Sequence, residues 1–380
     1  MMKKYLLSFA VLASAMLFTA CEKDNGKSYV TLPVSKGAFV ICGGHSSGIG
    51  SSLTYIDYSS GNAAQNQFKA VNHRELGMTA NDALVYGEKL YIVVSGENTV
   101  EVLDTKTMRS IKQIKMVDLM GEKGHSPRCI TADGGMIYVS TYGSSAADWN
   151  TNTTSGNGYV AAIDTLTFSL KTTYVAGSFP EGVAVYDDYL GDYLVVANSD
   201  YSMGSKASIS VIDVATGKDE PITDALITNP QKVAVARDGI YVLDWGNFAD
   251  VAGGVRKITN SSVRTLFDAT FASFIGTTIF ACNVPWGSTP SDFIVYNTQS
   301  GNKNVYPAGV NRYFYPLLIK ADPTTGNIFI ASLGEEGSAG YKSNGYVIEY
   351  TATGEKLKEY ECGVYPIAMD FSYAYERVEY

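Results

Sequence analysis

Histidine, tryptophan and positive charge are scarce in this sequence. Its 380 residues include three histidines and three tryptophans, and 29 lysines and arginines stand against 38 aspartates and glutamates. The resulting net charge of −9 argues against nucleic acid as a partner, because binding to phosphates needs clustered positive charge. It also argues against an electrostatic contact with an anionic membrane surface.

Cysteine is rare as well, with five in the chain. Cys42, Cys129, Cys282 and Cys362 lack the short-range spacing that zinc sites and disulfide-rich domains use. Three of these four fall within predicted strands, where a buried free thiol packs as a small hydrophobic group. The sequence leaves their disulfide state open.

Long apolar runs are confined to the N-terminus. Lys3 and Lys4 precede the apolar stretch Tyr5–Phe18, which has the length of a secretion signal and is too short for a stable transmembrane helix. The segment Leu17–Cys21 resembles a bacterial lipobox, which implies that Cys21 is lipidated and becomes the mature N-terminus. An ordinary signal peptide with an incidental cysteine is the alternative.

The charged residues Glu22–Asp24 follow the cysteine directly and resemble the surface-export signals of Bacteroidetes lipoproteins. That resemblance implies a lipid-anchored protein of the outer membrane, exposed at the cell surface. We therefore expect a signal peptide over residues 1–20, a flexible lipid-anchored tether over 21–33 and one domain over 34–380.

A hairpin pattern recurs through the rest of the sequence. In NPQKVAVARDGIYVLDWGN, residues 229–247, Pro230 blocks helix formation, Val233 and Val235 alternate as in a strand, and Asp238-Gly239 supplies a turn before a second β-rich run. Most copies lead into a third strand that ends in a turn, such as VIDVATG at residues 211–217. The other copies are residues 81–98, 126–143, 179–200, a degenerate copy at 271–287, 315–334, and a split copy formed by 365–372 and 37–45.

Repeats of roughly 40–50 residues with four short strands each are typical of propeller blades. A single blade cannot bury both of its faces, whereas blades packed around an axis bury all of them. The pattern predicts an all-β fold, a seven-bladed β-propeller closed by a blade shared between the N- and C-termini. An open β-solenoid or a sandwich is the alternative, but it offers no reason for the split copy.

Candidate ligand-binding residues gather at one end of the predicted ring. The segment that leads into each first strand and the loop after each second strand meet there, and all three tryptophans fall in these loops. Aromatic surface with amide and hydroxyl groups suits a large, flat, amide-bearing ligand or a protein partner. The alternative is that each aromatic packs on a neighbouring blade. The candidates are His45, Asn81, Arg128, Tyr142, Trp149, Glu181, Tyr201, Gln231, Trp245, Asn247, Phe248, Trp286, Tyr315 and Tyr341.

Signals for catalysis are weak. His73 falls outside these loops, and the remaining His45 and His125 do not make a metal site. No local motif groups a serine or cysteine with a histidine and an acid. The loop at residues 148–152 is similar to the start of a calcium loop but lacks its glycine and closing glutamate, so calcium is a minor alternative. The sequence predicts no catalytic residues, no metal and no required cofactor, and hence a protein that is not an enzyme.

The repeated P-x-x-h-A-h, D-G-x-h-Y-V and V-I-D-x-x-T-G patterns resemble the YncE-like and NHL-like seven-bladed propellers over residues 37–372. Together with the lipobox and the aromatic loops, they look like the BtuG-type surface lipoproteins of gut Bacteroidetes. That resemblance implies capture of cobalamin or a related corrinoid and its transfer to an outer-membrane TonB-dependent transporter. A propeller enzyme of the lyase or lactonase type and a surface protein–protein interaction module remain alternatives.

Overall fold

The structure, a computed structural model, describes residues 22–24, 27–143, 156–188, 191–199, 206–284 and 292–379. Nearly all of its regular elements are strands. In chain order, the first three groups are β1 (Glu22–Asp24), β2 (Lys27–Cys42), β3 (Ser52–Asp57) and β4 (Asn62–Ala64); β5 (Ala80–Tyr86), β6 (Lys89–Val94), β7 (Thr99–Asp104) and β8 (Ser110–Lys115); and β9 (Pro127–Asp133), β10 (Met136–Thr141), β11 (Tyr159–Asp164) and β12 (Leu170–Val175).

The remaining strands form four more groups. They are β13 (Pro180–Asp188), β14 (Gly191–Asn198) and β15 (Ser208–Asp213); β16 (Pro230–Ala236), β17 (Gly239–Gly246), β18 (Ala252–Thr259) and β19 (Ser262–Asp268); β20 (Phe271–Ile275), β21 (Thr278–Cys282), β22 (Asp292–Asn297) and β23 (Lys303–Pro307); and β24 (Pro316–Ala321), β25 (Ile328–Ser332), β26 (Asn344–Tyr350), β27 (Lys356–Val364) and β28 (Pro366–Glu379). Short helices α1 (Gln67–Asn72), α2 (Met116–Met120) and α3 (Gly337–Gly340) lie between strands, with 3₁₀ turns at Ser95–Glu97 and Gly121–Gly124.

The hairpin β16–β17 shows why the repeat folds as it does. Pro230 begins the inner strand, where a missing N–H costs nothing, and the two strands pair in antiparallel register from Pro230–Asp244 to Ala236–Gly239. Gly239 has a φ of 140°, and a Cβ there would collide with the carbonyl oxygen of Ile258. Only glycine fits this turn.

The described strands form seven sheets, and the predicted propeller is confirmed. We number the blades from β5–β8 (blade 1) to β24–β27 (blade 6), and the shared blade is blade 7. In blade 7, β28 pairs with β2 from Pro366–Cys42 outward, and β3 and β4 follow. The chain ends therefore build one blade together, as the split repeat predicted.

Strand β2 begins at Lys27, inside the segment expected to be a tether. Residues 29–35 pair with 373–379 of β28 as a two-stranded ribbon that continues beyond blade 7. The polar composition of this segment indicated a tether. The strand could not be predicted, because its partner lies more than 300 residues away in sequence and a local pattern does not reveal that pairing.

Apolar side chains from neighbouring blades form one cluster at each blade–blade boundary, seven clusters among the described residues. Alternation along β2 shows the principle, since Ala38, Val40 and Cys42 face blade 6 whereas Phe39 and Ile41 face blade 1. Each blade thus buries both faces, and the ring has no open end at its closure.

Two blades depart from the common plan. Blade 3 has three described strands, and isolated bridges from Ile209 to Ile222 and from Ile212 to Asp219 take the place of a fourth. Blade 5, the degenerate copy, starts at Phe271, and its inner strand pairs without a register shift.

Candidate functional site

We call the two ends of the ring the loop face and the turn face. The loop face carries the segments that lead into the inner strands and the loops that follow the second strands. The turn face carries the hairpin turns between inner and second strands. Six inner strands contain a β-bulge next to the loop face, and that of blade 5 does not. A bulge re-aims a side chain at the end of a strand. It places Asn81, Arg128, Glu181 and Gln231 at equivalent positions in blades 1 to 4.

The residue before the inner strand is in the left-handed region in four blades. Thr79, Ser126, Phe179 and Tyr365 have φ values of 58°, 51°, 51° and 60°. Each of these carbonyls accepts a hydrogen bond from the start of the loop that follows the second strand, at 2.8 to 3.2 Å. Such a conformation costs on the order of 1–3 kcal/mol in a non-glycine residue. The strain is repeated around the mouth of the ring, and these bonds hold it in place.

Arg128 and Glu181 form an ion pair between blades 2 and 3. Nε of Arg128 lies 3.1 and 3.2 Å from the two carboxylate oxygens of Glu181, which is only 4% exposed. The Tyr142 hydroxyl also donates to Glu181, and the guanidinium lies 5.0 Å from the centre of the Tyr142 ring. Burial alone would lower the pKa of Arg128, but the neighbouring carboxylate outweighs it and raises that pKa; burial also raises the pKa of Tyr142. The group is neutral as a unit.

Gln231 and Asn81 are committed to contacts within the protein. The Gln231 amide donates to Asn229 Oδ1 at 2.7 Å, and the Asn81 amide donates to the carbonyl of Arg128 at 2.9 Å, which ties blade 1 to blade 2. Among the predicted candidates, Tyr142, Glu181 and Gln231 are buried. They shape the mouth of the ring from below its surface.

Trp245 lies within β17, one residue before its end, and not in the loop predicted from the sequence, whereas Asn247 and Phe248 follow in the loop. Trp245 is half-buried, donates from Nε1 to the carbonyl of Thr270 at 2.8 Å and packs against the cluster between blades 4 and 5. Oδ1 of Asn247 accepts from the backbone N–H groups of Ala249 and Val251 at 3.0 and 2.9 Å. Phe248, by contrast, is 70% exposed with a φ of 56°. Only Phe248 offers its apolar surface to solvent.

Four tyrosines from blades 6 and 7 form an aromatic group that we call the tyrosine cluster. Tyr313 and Tyr315 stack with ring centres 6.5 Å apart and planes 9° apart, and the Tyr341 and Tyr365 rings are 5.7 Å apart. Burial, together with Tyr341 and Tyr365, raises the pKa of Tyr315 to about 12. All four side chains are half-buried.

Tyr313 was absent from the candidates predicted from the sequence. The sequence did contain a signal for it, because alternate residues of an extended segment share a side and the sequence reads Tyr313-Phe314-Tyr315.

His45 lies on the blade 7 loop, where Nδ1 contacts Ser47 Oγ at 2.9 Å. Trp149, Tyr201, Trp286, the loop at 148–152 and Cys21 lie outside the described residues, so the gathering of all three tryptophans on the loop face stays a prediction.

The turn face also offers cavities. One of about 630 Å³ lies between blades 3 and 4 and is lined by Tyr186, Tyr193, Arg237 and Asp238, and a neighbouring one of about 540 Å³ shares the turn Thr259–Ser261. A third of about 570 Å³ lies between blades 7 and 1 beside Tyr373. These cavities lie at the end of the ring opposite the predicted site. A binding experiment should therefore test the turn face as well as the loop face.

Residues 36–371 match a family described as "Domain of unknown function (DUF5074)". This chain belongs to the DUF5074 family. A search of curated proteins finds no match. The assignment covers all seven blades of the DUF5074 ring.

Two solved structures show the same fold. Hydrazine synthase from Kuenenia stuttgartiensis is 14% identical, with a TM-score of 0.56 over 79% of this chain and 95% of that one. A protein of Bacteroides uniformis, provisionally named a 6-phosphogluconolactonase, is 12% identical, with a TM-score of 0.56 over 89% of this chain and 100% of that one. At these identities the likeness shows the propeller fold alone.

Within the described ranges of the DUF5074 chain, no three His, Cys, Asp or Glu side chains are grouped so that they could hold a metal ion. In the same ranges, no helix has the length and apolar character needed to cross a membrane. The described candidate residues on the loop face are mainly aromatic and amide side chains around the ion pair of Arg128 and Glu181.

Proposed function

We propose that this DUF5074 protein binds a large, flat, amide-bearing ligand on the loop face, with cobalamin or a related corrinoid as the first ligand to test. The tyrosine cluster carries the proposal. Its four rings, half-buried and within 5.7 to 6.5 Å of a neighbour, offer rigid apolar surface with hydroxyls at the edge. A corrin plane edged with amides has the matching chemistry.

The electrostatics of the mouth favour an uncharged ligand. Arg128 and Glu181 neutralise each other, and the raised pKa values of Tyr142 and Tyr315 keep both phenols neutral. Binding that relies on stacking and neutral hydrogen bonds depends little on salt, whereas capture of a phosphorylated sugar by a lactonase would need unpaired positive charge.

The direction of strand β2 supports capture at a surface. Residues 29–35 extend from the turn face, so a lipid on Cys21 would hold that end of the ring toward the membrane and leave the loop face pointing outward. A binding face turned away from the anchor is open to ligand from the medium. Under this proposal the protein is a surface lipoprotein without catalytic activity that passes its ligand to a TonB-dependent transporter.

Calorimetric titration with cyanocobalamin at low and high salt tests the proposal. We expect saturable binding of one ligand per protein. Its dissociation constant should change by less than about threefold between 50 and 500 mM NaCl, because stacking and neutral hydrogen bonds depend little on salt. A titration without any heat of binding would contradict the proposal that cobalamin is the ligand. Hydrolysis of a sugar δ-lactone by the purified protein would instead favour the lactonase alternative, and co-purification with a surface protein would favour the interaction module.

A further inference from the structure

Two buried cysteines lie at the seam where the two chain ends close the ring. Cys42 ends strand β2 in blade 7, and Cys362 lies on β27, the outer strand of blade 6. Both are 0% exposed, and both belong to the apolar cluster between these two blades. Alternation explains their orientation, since Tyr360 and Cys362 face blade 7 while Glu361 between them is exposed.

The two thiols are neighbours. Cys42 and burial both raise the pKa of the Cys362 thiol. The backbone next to Cys362 lies close to Cys42, because a Cβ at Gly363 would lie 3.2 Å from both Cβ and Sγ of Cys42 and would collide with Ser52 Oγ. The Cys282 thiol differs, since its pKa is raised by burial alone.

We propose that Cys42 and Cys362 form a disulfide when this protein folds in the presence of a disulfide oxidant, and that the bridge locks blade 6 to blade 7. The thiolate of one cysteine attacks the oxidant disulfide, forms a mixed disulfide with one half of the oxidant and expels the other half as a thiolate. The second cysteine then attacks the mixed disulfide and expels the remaining half of the oxidant. The two cysteines lose two protons and two electrons, and the oxidant is reduced to two thiols. The lock encloses the chain from residue 42 to residue 362, which is nearly the whole ring.

Burial sets the time at which the bridge forms. In the closed ring neither sulfur is exposed, and the thiolate that would attack is disfavoured. An oxidant in solution therefore reaches these residues before the seam closes rather than after. The reduced, folded protein should resist an oxidant that bridges the same two cysteines during refolding.

Peptide mapping tests the proposal on the full chain. The reduced protein is unfolded in urea, refolded with or without oxidised glutathione, alkylated and digested with trypsin. We expect the peptides Gly37–Lys69 and Glu359–Arg377 to be joined after oxidative refolding, and separate after reductive refolding. Native reduced protein treated with the same oxidant should form the bridge at least tenfold more slowly. Recovery of both peptides only in alkylated form from oxidatively refolded, soluble protein would overturn the proposal.

Melting temperatures give a second readout. The bridged protein should melt at least ~5 °C above the reduced one, because the lock constrains the unfolded chain. Cys362→Ser should abolish that difference, and Cys282→Ser, which removes a thiol of equal burial, should preserve it. A difference that survives in Cys362→Ser would place the redox effect elsewhere.

Discussion

Ser35 Oγ donates a 2.7 Å hydrogen bond to Asp322 Oδ1 and so joins the N-terminal strand to the hairpin turn of blade 6. Both residues are buried, and the same carboxylate accepts a hydrogen bond from the Tyr58 hydroxyl at 3.2 Å. Thr324 completes the group by donating to Ser35 Oγ at 2.8 Å. These contacts close the ring on the turn face, at the seam that Cys42 and Cys362 occupy within the apolar layer.

Removal of the Asp322 carboxylate should therefore weaken the closure. Asp322→Ala leaves the hydroxyls of buried Ser35 and half-buried Tyr58 without this acceptor, and we expect a loss of roughly 2–4 kcal/mol in the free energy of unfolding by urea denaturation. The control is Asp213→Ala, since the carboxylate of this half-buried residue bonds within its own turn, to the N–H and the hydroxyl of Thr216. It should leave the midpoint nearly unchanged, and equal effects of the two variants would argue against a special role for the seam.

Deletion of residues 365–380 should abolish folding. The deletion removes the inner strand of blade 7 and leaves the edge of β2 unpaired, so the protein should aggregate. Deletion of 374–380 is the matched control, because it removes most of the ribbon beyond the blade but keeps Tyr373 on the core cluster and the pairing from Pro366 to Ser372. Light scattering and a thermal melt distinguish the two, and a monomeric, cooperatively melting 365–380 deletion contradicts the shared-blade closure.

Cys21→Ser should release the protein from the membrane. The lipobox-like segment that ends at Cys21 leads us to expect a lipid anchor at this residue. Metabolic labelling with palmitate should mark the wild type and not the variant, and the variant should move to the soluble fraction. Label retained by the variant would show that another residue is acylated.

We expect exposed Phe248 and half-buried Tyr341 to contact the ligand. Phe248→Ala and Tyr341→Ala should each weaken cyanocobalamin binding about tenfold, which corresponds to ~1.4 kcal/mol, while stability stays near that of wild type. Trp245→Ala should weaken binding and also lower the melting temperature, because its ring packs between blades 4 and 5 and its Nε1 is bonded to Thr270.

The control for the ligand face is Leu166→Ala. Leu166 is 82% exposed on a turn of blade 2 at the opposite end, so it matches Phe248 in apolar character but not in place. Calorimetry should show unchanged affinity. If Tyr193→Ala weakens binding and the loop-face variants do not, the ligand occupies the cavity between blades 3 and 4 instead.

Alkaline pH should unfold this protein. Burial raises the pKa of Tyr58, Tyr350 and Tyr373 above the value of about 10 that they have in the unfolded chain. The folded state therefore holds these protons more tightly. The stability that these tyrosines contribute is fully present below about pH 10 and is lost as pH rises from there through their raised folded-state pKa values. Absorbance at 295 nm should show delayed tyrosine ionisation that coincides with loss of the β-sheet circular dichroism signal. Early, complete ionisation in the folded state would contradict this burial.

The propeller could be predicted because its signals are local. Pro230, the alternation of Val233 and Val235, and the Asp238-Gly239 turn act within a single hairpin, and repetition of that hairpin implied a ring. The split copy at the two termini predicted the shared blade, which pairs as expected from Pro366 to Ser372. The loop face followed as well, since the direction of a hairpin decides at which end its loops emerge.

Contacts between distant segments were decided only by the tertiary structure. Sequence composition could not show that residues 29–35 pair with 373–379, that Glu181 and Tyr142 are buried around Arg128, or that Tyr341 meets Tyr365. The physical reason is that a turn or a strand depends on neighbouring residues, whereas burial and pairing depend on which surfaces meet once the ring has closed. Ser35 and Asp322 are 287 residues apart in sequence, and only the closed ring brings them to 2.7 Å.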